Sequence, residues 1–139
     1  MNIKIIDYGY ENLPKRSHPN DAGADVYSLS DILIDAHETV KIPLGFGLEL
    51  PTGFMALIMP RSGLSAAGVT AELAPVDAGY TGEIHAIVTN NSDEDKFYVA
   101  GSRIAQLVVM PIIIPTLVEE QTFDATPTRD GAGFGSTGV

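Results

Sequence analysis

The sequence predicts an all-β domain: a jelly-roll-like β-barrel or sandwich of short strands, with one short helix and a flexible, glycine-rich C-terminal tail. Two observations predict it. Fourteen glycines and nine prolines are scattered between short runs of β-favouring residues, a composition typical of strands joined by turns. No amphipathic pattern of helical period lasts beyond about two turns. Many short strands at regular spacing favour a jelly roll or another closed β architecture.

The predicted elements follow one another along the chain. Runs rich in β-branched and aromatic residues predict strands over residues 3–6, 32–35, 39–43, 47–50, 54–59, 84–89, 97–99, 104–109 and 112–114. A short helix is predicted over residues 62–67, where Gly68 can adopt the left-handed conformation that ends a helix. After Pro127 the chain has almost no apolar bulk, so we expect it to be mobile when no ligand is bound. The expected organisation is one β domain over residues 1–128 and a flexible C-terminal segment over residues 129–139.

The composition restricts the possible chemistry and compartment. A chain of 139 residues fits one domain, and folding at this size buries roughly two thirds of the unfolded surface. The absence of cysteine excludes disulfides, thiolate zinc sites and cysteine nucleophiles, and is compatible with a reducing compartment. The first residues lack the apolar region of a signal peptide, and the longest apolar stretch, residues 104–115, contains Gln106 and two prolines. We therefore expect a cytoplasmic protein without a membrane span.

The charge balance indicates which ligands the protein can bind. The formal net charge is -10, with only eight lysines and arginines. A long nucleic-acid backbone would be repelled, because its binding depends on basic residues that release phosphate counterions. A small polyphosphate is different, since a few local arginines, backbone amides and a metal ion can hold it despite an acidic exterior. The composition therefore favours a small anionic ligand over nucleic acid.

Two segments in the middle of the chain have residue types suited to chemistry. Asp77 and Tyr80 lie three residues apart in a predicted tight turn that leads into a strand. Such a carboxylate can orient and deprotonate a water, and the turn's backbone can bind the edge of a flat heterocycle. Arg61 and Ser62 lie where a strand ends and the short helix begins, a position that favours phosphate. The alternatives are a turn aspartate and an N-cap serine beside a surface arginine.

Further candidates lie near the two ends of the chain. The tail lacks the lysine of a Walker A loop, but its glycines free the backbone to wrap an anion, Arg129 supplies charge, and Phe134 can stack on a base. A low-complexity end is the alternative. Asp25 could hold a magnesium ion, which takes one or two carboxylates plus substrate phosphates, although a turn aspartate is more common. His18 and His37 are expected to have structural or surface roles, and zinc is disfavoured.

The order of these segments resembles the five motifs of the homotrimeric dUTP pyrophosphatases. The matching segments are DAGAD at residues 21–25, PRSGL at 60–64, VDAGYTGEI at 76–84, GSRIAQL at 101–107 and RDGAGFGSTG at 129–138. The resemblance implies a jelly-roll subunit in a homotrimer whose active sites are each built from three chains. It implies hydrolysis of dUTP to dUMP and pyrophosphate, with Mg²⁺ as cofactor.

The same resemblance implies a role for individual residues. Asp77 would activate the attacking water, and Asp25 would anchor the magnesium shell through water. Tyr80 would pack under the deoxyribose. The remaining implied contacts are Val76, Ile84 and His85 around the nucleoside, Arg61, Ser62, Gly63 and Gln106 on the phosphates, and Arg129, Phe134, Gly135, Ser136 and Thr137 closing over the top from another subunit.

Two other functions stay open at this point. The related dCTP deaminases share the fold and much of the third motif, but they carry a glutamate on the strand after the turn. Ile87 stands at that position here, and an isoleucine cannot transfer a proton. A regulatory protein switched by a bound nucleotide is the other alternative, and the presence of all the implied site residues argues against a loss of catalysis.

Overall fold

The computed structural model describes residues 1–129, 131, 133–135 and 138. Its strands, in chain order, are β1 (Lys4–Asp7), β2 (Ala24–Tyr27), β3 (Ile32–Ile34), β4 (Thr39–Pro43), β5 (Phe46–Glu49), β6 (Phe54–Met59), β7 (Val69–Ala71), β8 (Pro75–Val76), β9 (His85–Asn90), β10 (Lys96–Tyr98) and β11 (Arg103–Pro111). The single helix of the described residues, α1, spans Ser62–Ala66. The prediction of an all-β chain with one short helix is confirmed.

The strands form small antiparallel sheets wrapped around one core. The largest has the order β2-β11-β6-β8, a second has the order β4-β9-β7, and the pairs β1-β5 and β3-β10 complete the described set. Neighbours within the sheets are seldom consecutive in sequence, so the chain crosses repeatedly between layers, as expected of a jelly roll. Residues alternate between partly exposed and buried along β9, so one face of that strand packs on the core.

The core is apolar and contains two buried polar side chains, Ser28 and Asn90, each of which is hydrogen-bonded. Its most deeply buried large residues include Phe46, Ile34, Leu44 and Val88. Asn90 is also fully buried, and its Nδ2 donates to the backbone carbonyls of Ile34, Asp35 and Glu94 at 2.7–3.2 Å. A buried amide without partners would be costly, so these bonds fix the end of β9 against β3.

The predicted elements agree with the structure at most positions. The helix ends before Gly68, whose φ of 88° is the left-handed conformation predicted for it. Strands β2, β7 and β8 were not predicted, because each is short and is stabilised by pairing with distant strands. The strand predicted over residues 112–114 is wrong: the segment has no regular secondary structure, is largely exposed, and has no ladder partner among the described residues. Within the same part of the chain, no helix has the length and apolar character needed to cross a bilayer.

Candidate active site

One cleft, here called the arginine cleft, collects most of the predicted phosphate-binding residues. It has a volume of about 440 Å³ and lies where β2, β11 and the start of α1 meet. Its lining is Ser17, His18, Asp21, Ala22, Gly23, Asp25, Arg61, Ser62, Gly63 and Gln106. Asp25, Arg61, Ser62, Gly63 and Gln106, which are distant in sequence, are therefore neighbours in the fold.

Two arginines are tied to one carboxylate in this cleft. Arg61 Nε donates to Asp25 Oδ1 at 3.1 Å, and Arg103 Nη1 donates to Asp25 Oδ2 at 3.4 Å. A third bond, from Arg61 Nη1 to the Arg103 carbonyl at 3.4 Å, closes the group into a ring. The Asp25 side chain is 15% exposed and that of Arg61 28%. Asp21 also lines the cleft, so two carboxylates balance the two guanidinium groups in formal charge. An anionic ligand would therefore be held by the directed N–H donors of the guanidinium groups.

A close packing contact positions Gln106 in the arginine cleft. Its Nε2 donates to the Pro60 carbonyl at 2.9 Å. Gly23 leaves the space that the side chain occupies, since a Cβ at residue 23 would lie only 2.9 Å from Gln106 Cδ. The side-chain amide is thereby held beside the residues that begin α1, next to Arg61.

A second cleft, here called the loop cleft, contains the predicted base and the aromatic ring. It has a volume of about 310 Å³ and is lined by Lys41, Ala74, Pro75, Val76, Asp77, Tyr80, Glu83, Ile84 and His85. The Tyr80 amide donates to the Asp77 carbonyl at 3.0 Å, which confirms the tight turn. Both the Asp77 carboxylate and the Tyr80 ring are exposed, and the Tyr80 hydroxyl donates to the Glu83 carbonyl at 2.7 Å. An exposed carboxylate beside an exposed ring can meet water and a nucleoside together.

The segment that carries Asp77 is a crossing between two sheets. The sequence predicted a tight turn that leads into a strand, and the strands on the two sides of that turn pair with different partners. Val76 pairs with Ala56 of β6, whereas His85 pairs with Pro43 of β4. Ile84 is 2% exposed, and its backbone amide and carbonyl bond to Phe46 and Leu44 at 2.9 and 3.0 Å. Ile84 therefore anchors the loop to the core, and its side chain is buried.

The two clefts share no lining residue. Within a single chain, the predicted base and nucleoside contacts therefore lie in a different cleft from the phosphate-binding residues. These contacts are Val76, Asp77, Tyr80, Ile84 and His85. Arg129, Phe134 and Gly135 are exposed and line neither cleft, and Phe134 has a φ of 51°. Ser136 and Thr137 lie outside the described residues.

Several residues in or beside the arginine cleft were not predicted from the sequence. His18 was expected to have a structural or surface role, yet it lines this cleft beside Ser17 and Asp21. Residues three apart on a regular strand point to opposite faces. The sequence therefore gives no reason to place Arg103 on the same face as Gln106. A register shift between Arg103 and Ala105 in the ladder with β2 adds a residue and turns both side chains toward Asp25. No local signal in the sequence predicts that shift.

The arginine cleft is lined by two carboxylates, those of Asp21 and Asp25. Among residues 1–129 and the described part of the tail, no group of three histidine, aspartate or glutamate side chains could hold a metal by itself. Asp25 already accepts from two guanidinium groups, so a cation would compete with them for direct contact. The residues fit an ion that keeps its waters and takes most ligands from phosphates, which is the usual behaviour of Mg²⁺.

Comparison with known proteins identifies the family. A family model described as dUTPase matches residues 10–138, nearly the whole chain. The chain belongs to the dUTPase family. A curated relative, the deoxyuridine 5'-triphosphate nucleotidohydrolase of Mycolicibacterium gilvum, is 41% identical over 134 residues, which cover 91% of this chain and 87% of the relative.

Solved structures of dUTPases have the same fold. A variant of the dUTPase of Staphylococcus bacteriophage 80alpha, solved with dUpNHpp, has a TM-score of 0.92 and 26% identity, covering 99% of both chains. A variant of the dUTPase from phage phi11 of S. aureus, whose structure describes the coordination of a structural Mg(II) ion, has a TM-score of 0.84 and 23% identity, covering 90% of this chain and all of that one. The jelly-roll prediction therefore agrees with the folds of the dUTPase family.

Proposed function

We propose that this protein hydrolyses dUTP to dUMP and pyrophosphate by attack of water on the α-phosphorus, which limits dUTP and supplies dUMP for thymidylate synthesis. One observation carries the proposal: a dUTPase-family chain places Arg61 in one cleft, on an aspartate that also binds Arg103, and an exposed carboxylate beside an exposed tyrosine in a second cleft. The relative from Mycolicibacterium gilvum is named for this activity.

The arginine cleft is proposed to bind the triphosphate. Arg61 supplies a guanidinium group already oriented by Asp25, so little conformational entropy is lost when it meets a phosphate oxygen. Ser62 and Gly63, exposed at the first turn of α1, supply a hydroxyl and backbone amides. Gln106 adds an amide donor from β11. These groups neutralise the charge that develops on the pyrophosphate leaving group.

Asp77 is proposed to be the general base. Its exposed carboxylate accepts a proton from the attacking water as the new oxygen–phosphorus bond forms. The bond between the α-phosphorus and the bridging oxygen breaks on the opposite side, and pyrophosphate leaves. Because Asp77 is in the loop cleft and the phosphate donors are in the arginine cleft, the chemistry requires the two clefts to face each other across a subunit interface.

The loop cleft is proposed to select the nucleoside. The Tyr80 ring would pack under the deoxyribose and leave no room for a 2′-hydroxyl, and its hydroxyl bond to Glu83 holds the ring in place. Val76, Ile84 and His85 form the rest of the uracil side of the cleft. His85 Nδ1 lies 3.1 Å from the Glu83 carbonyl, so the imidazole orientation is also fixed by the loop.

Magnesium is proposed to bind with the triphosphate, with Asp25 as its anchor through water. When bound, Mg²⁺ supplies charge neutralisation of the phosphate oxygens. Asp25 can accept hydrogen bonds from metal-bound waters while keeping its arginine partners, because each carboxylate oxygen has two lone pairs.

The assembly is proposed to be a homotrimer with shared active sites. Beyond β11, residues 112–123 expose apolar side chains, with Ile113 and Leu117 each 90% exposed and Phe123 93%. Apolar segments exposed to this extent mark protein interfaces. In the trimer, the tail of another subunit would bring Arg129, Phe134, Gly135, Ser136 and Thr137 over the bound nucleotide.

The test of the proposal is the Asp77→Asn variant. We expect it to fold and to bind a non-hydrolysable dUTP analogue, but to release pyrophosphate at least about a hundredfold more slowly, the usual contribution of a positioned base. Near-normal turnover would remove Asp77 from this role. Measuring ammonia in the same reactions, with dCTP added, tests the deaminase alternative, which Ile87 disfavours.

A further inference from the structure

The loop that carries Asp77 and Tyr80 rests on the N-terminal segment. The Tyr8 hydroxyl donates to the Thr81 carbonyl at 2.9 Å, across 73 positions in sequence. The Tyr8 amide donates to the Gly45 carbonyl at 2.9 Å, and the Gly45 amide donates to Glu83 Oε1 at 3.0 Å. Tyr8 is therefore bound through its backbone to Gly45, which also binds Glu83, and through its side chain to Thr81. Thr81 and Glu83 flank Gly82, and Thr81 directly follows Tyr80, the residue proposed to contact the sugar.

The backbone of the loop also packs directly on β5. A Cβ at Gly47 would lie 2.8 Å from the Thr81 carbonyl oxygen, 2.9 Å from that of Gly82 and 3.0 Å from the Tyr8 hydroxyl. These carbonyls belong to the main chain, so they cannot move aside as a flexible side chain would. The position of Gly82 and its neighbours is therefore set by contacts with residues that do not line the loop cleft.

We propose that Tyr8 is a positioning residue for nucleoside selection, acting through the Thr81 carbonyl on Tyr80. This inference rests on the proposed function. Tyr8 lies outside residues 10–138, the part matched to the dUTPase family model, and its hydroxyl bonds to Thr81, which is not among the residues proposed to contact substrate. Its hydroxyl fixes the carbonyl next to Tyr80, and the Tyr80 hydroxyl in turn binds Glu83, which Gly45 holds. Loss of the Tyr8 hydroxyl lets this short segment shift, and small misplacements at a reacting site have large effects on rate.

The experiment compares Tyr8→Phe with Tyr10→Phe. Both remove one phenolic hydroxyl from an exposed tyrosine close to the same turn, but the Tyr10 hydroxyl has no hydrogen-bond partner among the described residues. For Tyr8→Phe we expect kcat/KM for dUTP to fall about fivefold, the effect of losing one neutral hydrogen bond, while UTP hydrolysis falls less. The dUTP-to-UTP preference should therefore shrink. Tyr10→Phe should leave both values unchanged.

A second measurement does not depend on catalysis. In the ligand-free protein, the Tyr80 amide donates to the Asp77 carbonyl and the Ile84 amide donates to the Phe46 carbonyl. Both amides are therefore expected to be protected from hydrogen exchange. Tyr8→Phe should speed exchange at Tyr80 severalfold and leave the core strand amides unchanged. Gly47→Ala should do the same by displacing the Thr81 and Gly82 carbonyls.

The outcomes separate this inference from the proposed function. A wild-type protein that does not hydrolyse dUTP would contradict the proposed function, and the exchange data would still decide whether Tyr8 positions the loop. An unchanged dUTP-to-UTP preference in Tyr8→Phe would overturn the inference. Unchanged exchange at Tyr80 would overturn it as well, and a lower melting temperature with unaltered kinetics would make Tyr8 a purely structural residue.

Discussion

Neutralising Asp25 tests the arginine cleft, because one carboxylate holds both arginines. In Asp25→Asn the shape of the side chain is kept and its charge is lost. The bond from Arg61 Nε joins two largely buried side chains at 3.1 Å, and a hydrogen bond of this charged kind contributes about 1.5–3 kcal/mol. The bond from Arg103 is longer, 3.4 Å, and the Arg103 side chain is 52% exposed, so it contributes about 0–1 kcal/mol.

These contributions give a measurable loss of stability. Asparagine keeps one oxygen that can still accept a hydrogen bond, so we expect a net loss of about 2 kcal/mol in the free energy of unfolding. For a domain of this size that corresponds to a fall of roughly 6–10 °C in melting temperature. The loss should be present without magnesium or nucleotide, because the arginine ring exists in the ligand-free protein.

The activity of the same variant separates two roles of Asp25. Without its partner, Arg61 loses a fixed orientation, and a displacement of about 1 Å can cost on the order of a hundredfold in kcat/KM for dUTP. Asp21→Asn is the control: it removes the same charge from the same cleft, but the Asp21 carboxylate accepts from His18 and not from an arginine. We expect its melting temperature to be nearly that of the wild type and its kcat/KM for dUTP to stay within about threefold of the wild-type value.

Thermal unfolding and pyrophosphate release at several magnesium concentrations provide the measurement. If Asp25 acted only as the water-mediated anchor of the ion, excess Mg²⁺ would restore the rate and the ligand-free melting temperature would not change. If it positions the arginines, excess Mg²⁺ restores little. A melting temperature and rate equal to those of the wild type would mean that Asp25 neither positions the arginines nor anchors the ion.

The remaining predictions concern sugar selection and the tail. Tyr80→Ala should raise UTP hydrolysis relative to dUTP, measured as the ratio of kcat/KM values, and an unchanged ratio would mean that another residue excludes the 2′-hydroxyl. Deletion of residues 129–139 should leave the melting temperature and the oligomeric mass by light scattering nearly unchanged, because the described residues of this segment are exposed, while dUTP turnover is nearly lost. Surviving turnover would contradict the closing role of the tail, and a collapsed assembly would make the segment structural.

Much of the fold was predictable because its signals are local. Strand β4 was predicted at its observed bounds, and the helix was predicted within one residue, from β-branched runs and from the conformational freedom of Gly68. Strand β8 has two residues, and its pairing with β6 is a tertiary contact without a periodic signal of its own. Residues 112–114 have the composition of a strand, but composition does not say whether a partner strand is available within the chain.

Part of the candidate site was also predictable from the sequence, and part was not. The grouping of Asp25 with Arg61 followed from motif resemblance, and their 3.1 Å hydrogen bond is consistent with it. The part played by Arg103 depends on a strand irregularity that only the ladder reveals. The separation of Asp77 from the arginine cleft could not be read from residue order, because the loop crosses between sheets whose register is set by strands far away in sequence.

Whether this protein is a magnesium-dependent dUTP hydrolase is tested by comparing dUTP, UTP, dTTP and dCTP as substrates, in magnesium and in excess EDTA, with pyrophosphate and ammonia both measured. We expect pyrophosphate release from dUTP with strong preference over the other three, no ammonia from dCTP, and loss of activity in EDTA that added Mg²⁺ restores. Equal rates with UTP or dTTP, ammonia from dCTP, or full activity in the chelator would contradict it.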